Sequence, residues 1–114
     1  RKVKKMNVLD KQAEAIFRKL LELLGRKEYL KLDNSNGVFM PLSIQKLDKN
    51  RVALAHYGKL NGDLMADPDM EFEIGEDYIK PLTYQNDYMG YFTDNPDTEF
   101  ANMWLRNIKE QQKL

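Results

Sequence analysis

Residues 56–74 read HYGKLNGDLMADPDMEFEI, and how they are parsed decides the fold. The stretch leaves one strand-like run and enters another, and it carries the chain's single histidine and the start of its densest group of acids. Gly58, Asn61-Gly62 and Asp67-Pro68 are all turn formers: glycine and asparagine tolerate positive φ, and proline lacks an amide hydrogen. The reading therefore expects successive turns from Gly58 to Pro68 before a strand resumes. In that strand Met70, Phe72 and Ile74 alternate with Asp69, Glu71 and Glu73, so one face is apolar and the other acidic. With Asp63 and Asp67 from the turns, Asp69, Glu71 and Glu73 make up a candidate interaction face.

Before this stretch, Arg51 to Tyr57 reads as a strand in which Val52, Leu54 and His56 alternate with Ala53, Ala55 and Tyr57. Asp48-Lys49-Asn50 turns the chain out of an earlier strand, Val38 to Leu47, whose Val38, Met40, Leu42 and Ile44 share the expected core face. Pro41 predicts that this strand lies at an edge or carries a bulge. Asn36-Gly37 predicts a hairpin to a short strand, Tyr29 to Asp33. Upstream, Ala13, Ile16, Phe17, Leu20 and Leu24 recur at helical spacing between the N-cap candidate Asp10 and the stop Gly25.

After the stretch, Gly75 leads into a strand from Asp77 to Gln85, with Tyr78, Leu82 and Tyr84 alternating around Lys80. Tyr88 to Thr93 is an aromatic-rich connector, and Tyr88, Tyr91 and Phe92 form a candidate aromatic surface. Asn95-Pro96 supplies an N-cap and a first-turn proline for a final helix from Asp97 to Gln112, with Phe100, Trp104 and Ile108 on one face. The order is α+β: a single antiparallel meander of about five strands flanked by an N-terminal and a C-terminal helix that cover one face.

At 114 residues the chain fits one domain. RKVKK at residues 1–5 is expected to be a flexible lead or a processing or vector remnant, and 6–114 the domain. No apolar run approaches the ~18 residues of a membrane span, and no signal peptide is visible, so no membrane partner is expected and the cytoplasm is the expected compartment. Absent cysteines exclude disulfides, thiolate-bound zinc and a thiol nucleophile. The zero formal net charge hides an asymmetry: residues 1–31 hold ten Lys or Arg against four acids, whereas 61–100 hold eleven acids against Lys80 alone.

Among chemical readings, His56, Asp63, Asp67, Asp69 and Glu71 are possible metal ligands, but no histidine pair stands at ligand spacing and the loop does not match a calcium-binding pattern. His56, in phase with Val52 and Leu54, points to the core or packs beneath the following loop. No serine has a neighbouring base, and no glycine pattern cradles phosphate. The expectation is a protein without catalytic residues, metal or cofactor. A basic patch including Lys2, Lys4, Lys5, Lys11, Arg18 and Lys31 makes nucleic acid a possible but not favoured partner.

His56-Tyr57, then Gly62-Asp63-Leu64-Met65, Asp67-Pro68 and the run Tyr84-Gln85-Asn86-Asp87 together resemble a family of small bacterial and phage domains of unknown function encoded on mobile elements. The similarity spans roughly residues 50 to 92, and the long final helix departs from it. The family implies no chemistry, but it implies a setting in plasmids, conjugative elements or prophages, where small proteins act on host machinery. The leading expectation is an accessory module binding an unidentified protein partner. Alternatives are an inhibitor of a host-defence nuclease acting through the acidic face and a nucleic-acid-binding accessory protein.

Overall fold

A computed structural model describes residues 7 to 114; the leading RKVKK segment, with Lys2, Lys4 and Lys5, lies outside the described residues. The chain runs α1 (Lys11–Leu24), β1 (Tyr29–Leu32), β2 (Leu42–Asp48), β3 (Arg51–Leu60), β4 (Asp63–Ile74), β5 (Ile79–Asn86), β6 (Tyr91–Thr93) and α2 (Thr98–Gln111). The six strands form one antiparallel sheet in sequence order, so the α+β meander is as expected with one strand more. The extra strand is β6, which lies inside the aromatic segment read as a connector and pairs Tyr84 with Thr93 and Asn86 with Tyr91.

Both helices cover one face of the sheet. In α1 the Asp10 carboxylate accepts from the Ala13 amide at 2.8 Å, and Gly25, at φ +59°, donates its amide to the Leu21 carbonyl. Its Ala13, Ile16, Phe17, Leu20 and Leu24 stripe joins Leu42, Ile44, Val52, Leu54, Met70, Phe72 and Ile79 from the sheet, with Trp104, Leu105 and Ile108 from α2. The cap of α2 is Asp97, which accepts from the Glu99 amide at 3.0 Å, rather than Asn95; Pro96 precedes the cap instead of following it. The helices are tied to each other by the Asp10 amide on Asn102 Oδ1 at 2.9 Å and by Arg106, which reaches both Gln12 and Asp10.

The organising stretch folds differently from its expected parse. β3 continues through Gly58 to Leu60, the two-residue turn Asn61-Gly62 reverses it, and β4 runs without interruption through Asp67-Pro68 to Ile74. Asn61 and Gly62 both have positive φ, +53° and +87°, the combination whose twist suits a tight hairpin. Gly58 does not break the strand: a Cβ there would come within 2.3 Å of the Tyr88 hydroxyl, so glycine admits that ring against the hairpin. Asp67-Pro68, a cis peptide, sits at a bulge, because Ala55 pairs with Asp69 while Tyr57 pairs with Ala66.

Three further expectations are corrected. Val38 and Met40 are not core: β2 starts only at Leu42, and Val38 is 73% exposed. Asn36-Gly37 does turn the chain, but within a nine-residue connection, 33–41, pinned by Ser35 Oγ, which contacts both the amide and the carbonyl of Phe39. Pro41 thus stands just before an interior strand, where no ladder bond is asked of it. In β5, Ile79 and Pro81 rather than Tyr78 face Ile74 and Phe72, and a bulge at Leu82 brings Tyr84 opposite Met70. Among the described residues no helix is long and apolar enough to cross a membrane.

Candidate interaction surface

The β3–β4 hairpin outreaches its neighbours. β2 pairs with β3 only as far as Ala55 and β5 with β4 only as far as Asp69, so residues 57–66 project beyond the sheet as two strands. A free hairpin of this kind is marginal in water. Here the β5–β6 turn latches it. The Asp87 carboxylate accepts from the Ala66 amide and the Gln85 side-chain amide, both at 2.8 Å, while the Asp87 amide donates to the Ala66 carbonyl. These hydrogen bonds, with Gln85 first, hold the Asp87 carboxyl below its ordinary value. Tyr88 completes the latch by donating to the Lys59 carbonyl at 3.3 Å.

The bulge redirects Asp67 out of the acidic row. Its Oδ1 accepts from Asn86 Nδ2 at 3.1 Å, and Asn86 also contacts the Tyr84 hydroxyl and accepts from the Met89 amide. His56, only 6% exposed, stands nearby under α2, where Trp104 Nε1 donates to its Nδ1 at 3.4 Å with the rings edge to face. That bond assigns the imidazole proton to Nε2, which is buried without a partner among the described residues. Met65 pairs with Gly58, and Gly62 forms the turn. Of the residues that carried the sequence pattern, His56, Tyr57, Asp67 and Pro68 meet Tyr84 to Asp87 at the bulge and its latch, whereas Gly62, Asp63 and Leu64 lie at the hairpin tip.

The acidic face divides accordingly. Asp69, Glu71 and Glu73 lie on the sheet face away from the helices, but their cross-strand neighbours temper them. Arg51 bridges to Glu71 at 3.4 Å, and the register sets Glu73 between Arg51 and Lys80. Asp69 is raised in pKa by burial first and then by Glu71 and Asp87, against a pull from the Tyr57 hydroxyl at 3.4 Å. Asp63 stands apart at the exposed hairpin tip. Among the described residues no three His, Asp or Glu side chains gather as a metal ligand set.

Three segments leave the sheet at the hairpin end: the 33–41 connection, the hairpin tip and the β5–β6 turn. Their apolar side chains are left in water: Val38, Phe39 and Met40; Leu60 and Leu64; Tyr88 and Met89, with Leu64 65% and Met89 76% exposed. A groove of about 360 Å³ joins two of the segments, running from Met40 past Tyr29 and Tyr57 to Leu64. Of the aromatic residues singled out from sequence, Tyr88 and Tyr91 are exposed on one side and Phe92, opposite Gln85, stands on the uncovered face, so the register divides them between two faces. Leu60, Leu64 and Met89 were not foreseen. The signal for them was present, since two leucines straddle an Asn-Gly turn whose tip cannot reach the core.

The buried imidazole gives the fold a pH dependence. Burial pushes His56 below its ordinary value, against a smaller opposing pull from Asp67. The unfolded chain therefore takes up this proton first, so stability is complete above about pH 6.5 and declines as pH falls toward the lower folded-state value. The expected result is a urea midpoint that drops between about pH 7 and pH 5.5 in the wild type and much less in His56→Leu. Asp69, raised on folding, acts with the opposite sign, its contribution being present below the ordinary carboxylate value and lost as pH rises through the higher folded-state value.

Neither curated proteins nor solved structures yield a match to the chain. Residues 11–114, from the first residue of α1 to the end, match the family described as a domain of unknown function (DUF6908), and the chain belongs to that family.

Proposed function

We propose that the chain is a protein-binding module that grips its partner with the apolar end of the sheet. The observation that carries this reading is that exposed Val38, Phe39, Leu60, Leu64, Tyr88 and Met89 all belong to the three connections at one end of the sheet, with Leu64 on the groove side of the hairpin and Leu60 on its other side. Single exposed apolar residues are ordinary, whereas several at one end of a fold favour a contact surface there. The latch of Asp87 and Tyr88 on Ala66 and Lys59 supports it further, because a hairpin held in place loses little freedom on binding. A cytoplasmic, mobile-element setting is part of the proposal and rests on the cysteine-free composition and the resemblance over residues 50 to 92. The nuclease-inhibitor alternative is less supported, since Arg51 and Lys80 interrupt the acidic row. The nucleic-acid alternative is weakened by Arg18, whose guanidinium is engaged by Glu14 and the Gly75 and Glu76 carbonyls.

The test is co-purification from a bacterial lysate with and without nuclease treatment. A protein partner is expected to remain after nuclease, to be lost with Leu64→Glu/Met89→Glu, and to be kept by the triple variant Asp69→Asn/Glu71→Gln/Glu73→Gln. The triple variant should fold normally, because its charges are half exposed and contribute little when paired. Loss of the partner with the triple variant and retention with the apolar variant would transfer the function to the acidic face.

A further inference from the structure

A second feature lies at the opposite edge of the aromatic segment. Between β6 and the first turn of α2 a cleft of about 270 Å³ is lined by Tyr84, Tyr91, Thr93, Asn95, Asp97 and Phe100. Its three rings stand in different planes. Tyr84 meets Phe100 at 5.4 Å and 89°, and meets Tyr91 at 5.9 Å and 58°. Rings so arranged offer electron-rich faces on more than one side, and a cation is attracted within about 6 Å of such a face.

The charged residues of the segments that build the cleft have one sign. Asp97, whose carboxylate caps α2, lines it, among the described residues no lysine or arginine does, and residues 87–99 include Asp87, Asp94, Asp97 and Glu99 with no basic residue. Thr93 and Asn95 add polar atoms to the rim, where the Asn95 amide donates to Thr93 Oγ1 at 3.0 Å. We propose that this cleft receives the ammonium group of a lysine side chain from a protein partner. An ammonium is a compact charge that suits a cage of several rings, whereas a planar guanidinium suits a single stacking face. A protein source follows from position: β6 is the terminal strand of the sheet, so an extended partner segment can lie beside it and turn one side chain into the cleft.

The assignment rests on the reading of the chain as a protein-binding module, but its test does not involve Leu64 or Met89. The chain's single tryptophan, Trp104, stacks on Phe100 at 6.3 Å and so reports on the cleft. The experiment titrates the protein with Nα-acetyl-lysine N-methylamide, its norleucine counterpart and tetramethylammonium, following Trp104 fluorescence and the amide resonances of Tyr91, Thr93 and Asp97. The lysine compound should give a saturable response and the norleucine compound none. Asp97→Asn, which keeps a capping side chain, should weaken binding about threefold, and the half-exposed Tyr91→Leu about three- to fivefold, with melting temperatures near wild type. The Leu64→Glu/Met89→Glu variant should bind as wild type does. An equal response to norleucine, no saturable response to lysine, or a response to tetramethylammonium alone would overturn the proposal. Survival of the lysine response with failure of the co-purification test would locate the fault in the apolar surface rather than in the cleft.

Discussion

Phe72→Ala should lower the stability of the fold more than any other single truncation considered. Phe72 sits in the middle of β4, fully buried between β3 and β5, with its ring edge-on to Phe17 of α1 at 4.8 Å. It is one of the contacts through which the first helix is seated on the sheet. Truncation removes the ring's transfer energy and leaves a cavity that two paired strands cannot close, a loss of about 3 to 5 kcal/mol. For a chain of this length that corresponds to a melting temperature lower by roughly 12 to 20 °C. Leu54→Ala, buried opposite Met70, should cost about 2 to 5 kcal/mol by the same mechanism. An unchanged melt for Phe72→Ala would mean that β4 does not present this face to the helices.

Gln112→Ala should also destabilise the fold, and its effect should be local before it is global. Gln112 is the C-cap of α2 and is fully buried. Its Oε1 accepts from the Asn34 amide at 2.7 Å, its Nε2 donates to the Met40 carbonyl at 3.3 Å, and its own carbonyl accepts from Asn34 Nδ2 at 3.1 Å. One side chain therefore joins the end of the last helix to both ends of the 33–41 connection. Removing it leaves the Asn34 amide and the Met40 carbonyl short of a partner, with an expected loss of about 2 to 3 kcal/mol. Amide exchange should quicken in residues 33 to 41 ahead of the sheet. Exchange as slow there as in the wild type would show that the loop is held by other contacts.

Gln112 also marks where sequence reading stops. A polar residue at the very end of an amphipathic helix reads as exposed, and only the 33–41 connection folding over it makes Gln112 a buried residue. Periodicity was sufficient where local pattern and burial coincide: the α1 stripe from Ala13 to Leu24 and the Leu42, Ile44, Val52, Leu54, Met70 and Phe72 face were all legible. It misled at Val38 and Met40, which continue the alternation of β2 in sequence, because Ser35 and Gln112 hold that segment away from the sheet. Turn formers misled in the same way at Gly58 and Asp67-Pro68. Glycine there makes room for Tyr88, and the proline occupies a bulge, so neither ends a strand.

The candidate site was legible in part for a related reason. Asp69, Glu71 and Glu73 follow from alternation alone, and they lie half-buried on the helix-free face. That Arg51 and Lys80 stand across from them depends on register, which two bulges shift. Asp67 was read as a turn residue beside that row, and in the fold it lies in β4 at a bulge that turns it toward Asn86 and His56. The apolar end escaped notice because its members come from three separate segments, each carrying only two or three exposed side chains.

The claim that this apolar end is the working surface is tested most directly by placing a photo-crosslinking amino acid at position 64 and, separately, at position 23 in living cells. Leu23 is also an exposed leucine, 40% accessible, but lies on α1, remote in sequence from the hairpin. Crosslinked adducts of a defined protein at position 64 and none at position 23 are the predicted result. Adducts at position 23 with none at position 64 would contradict the account.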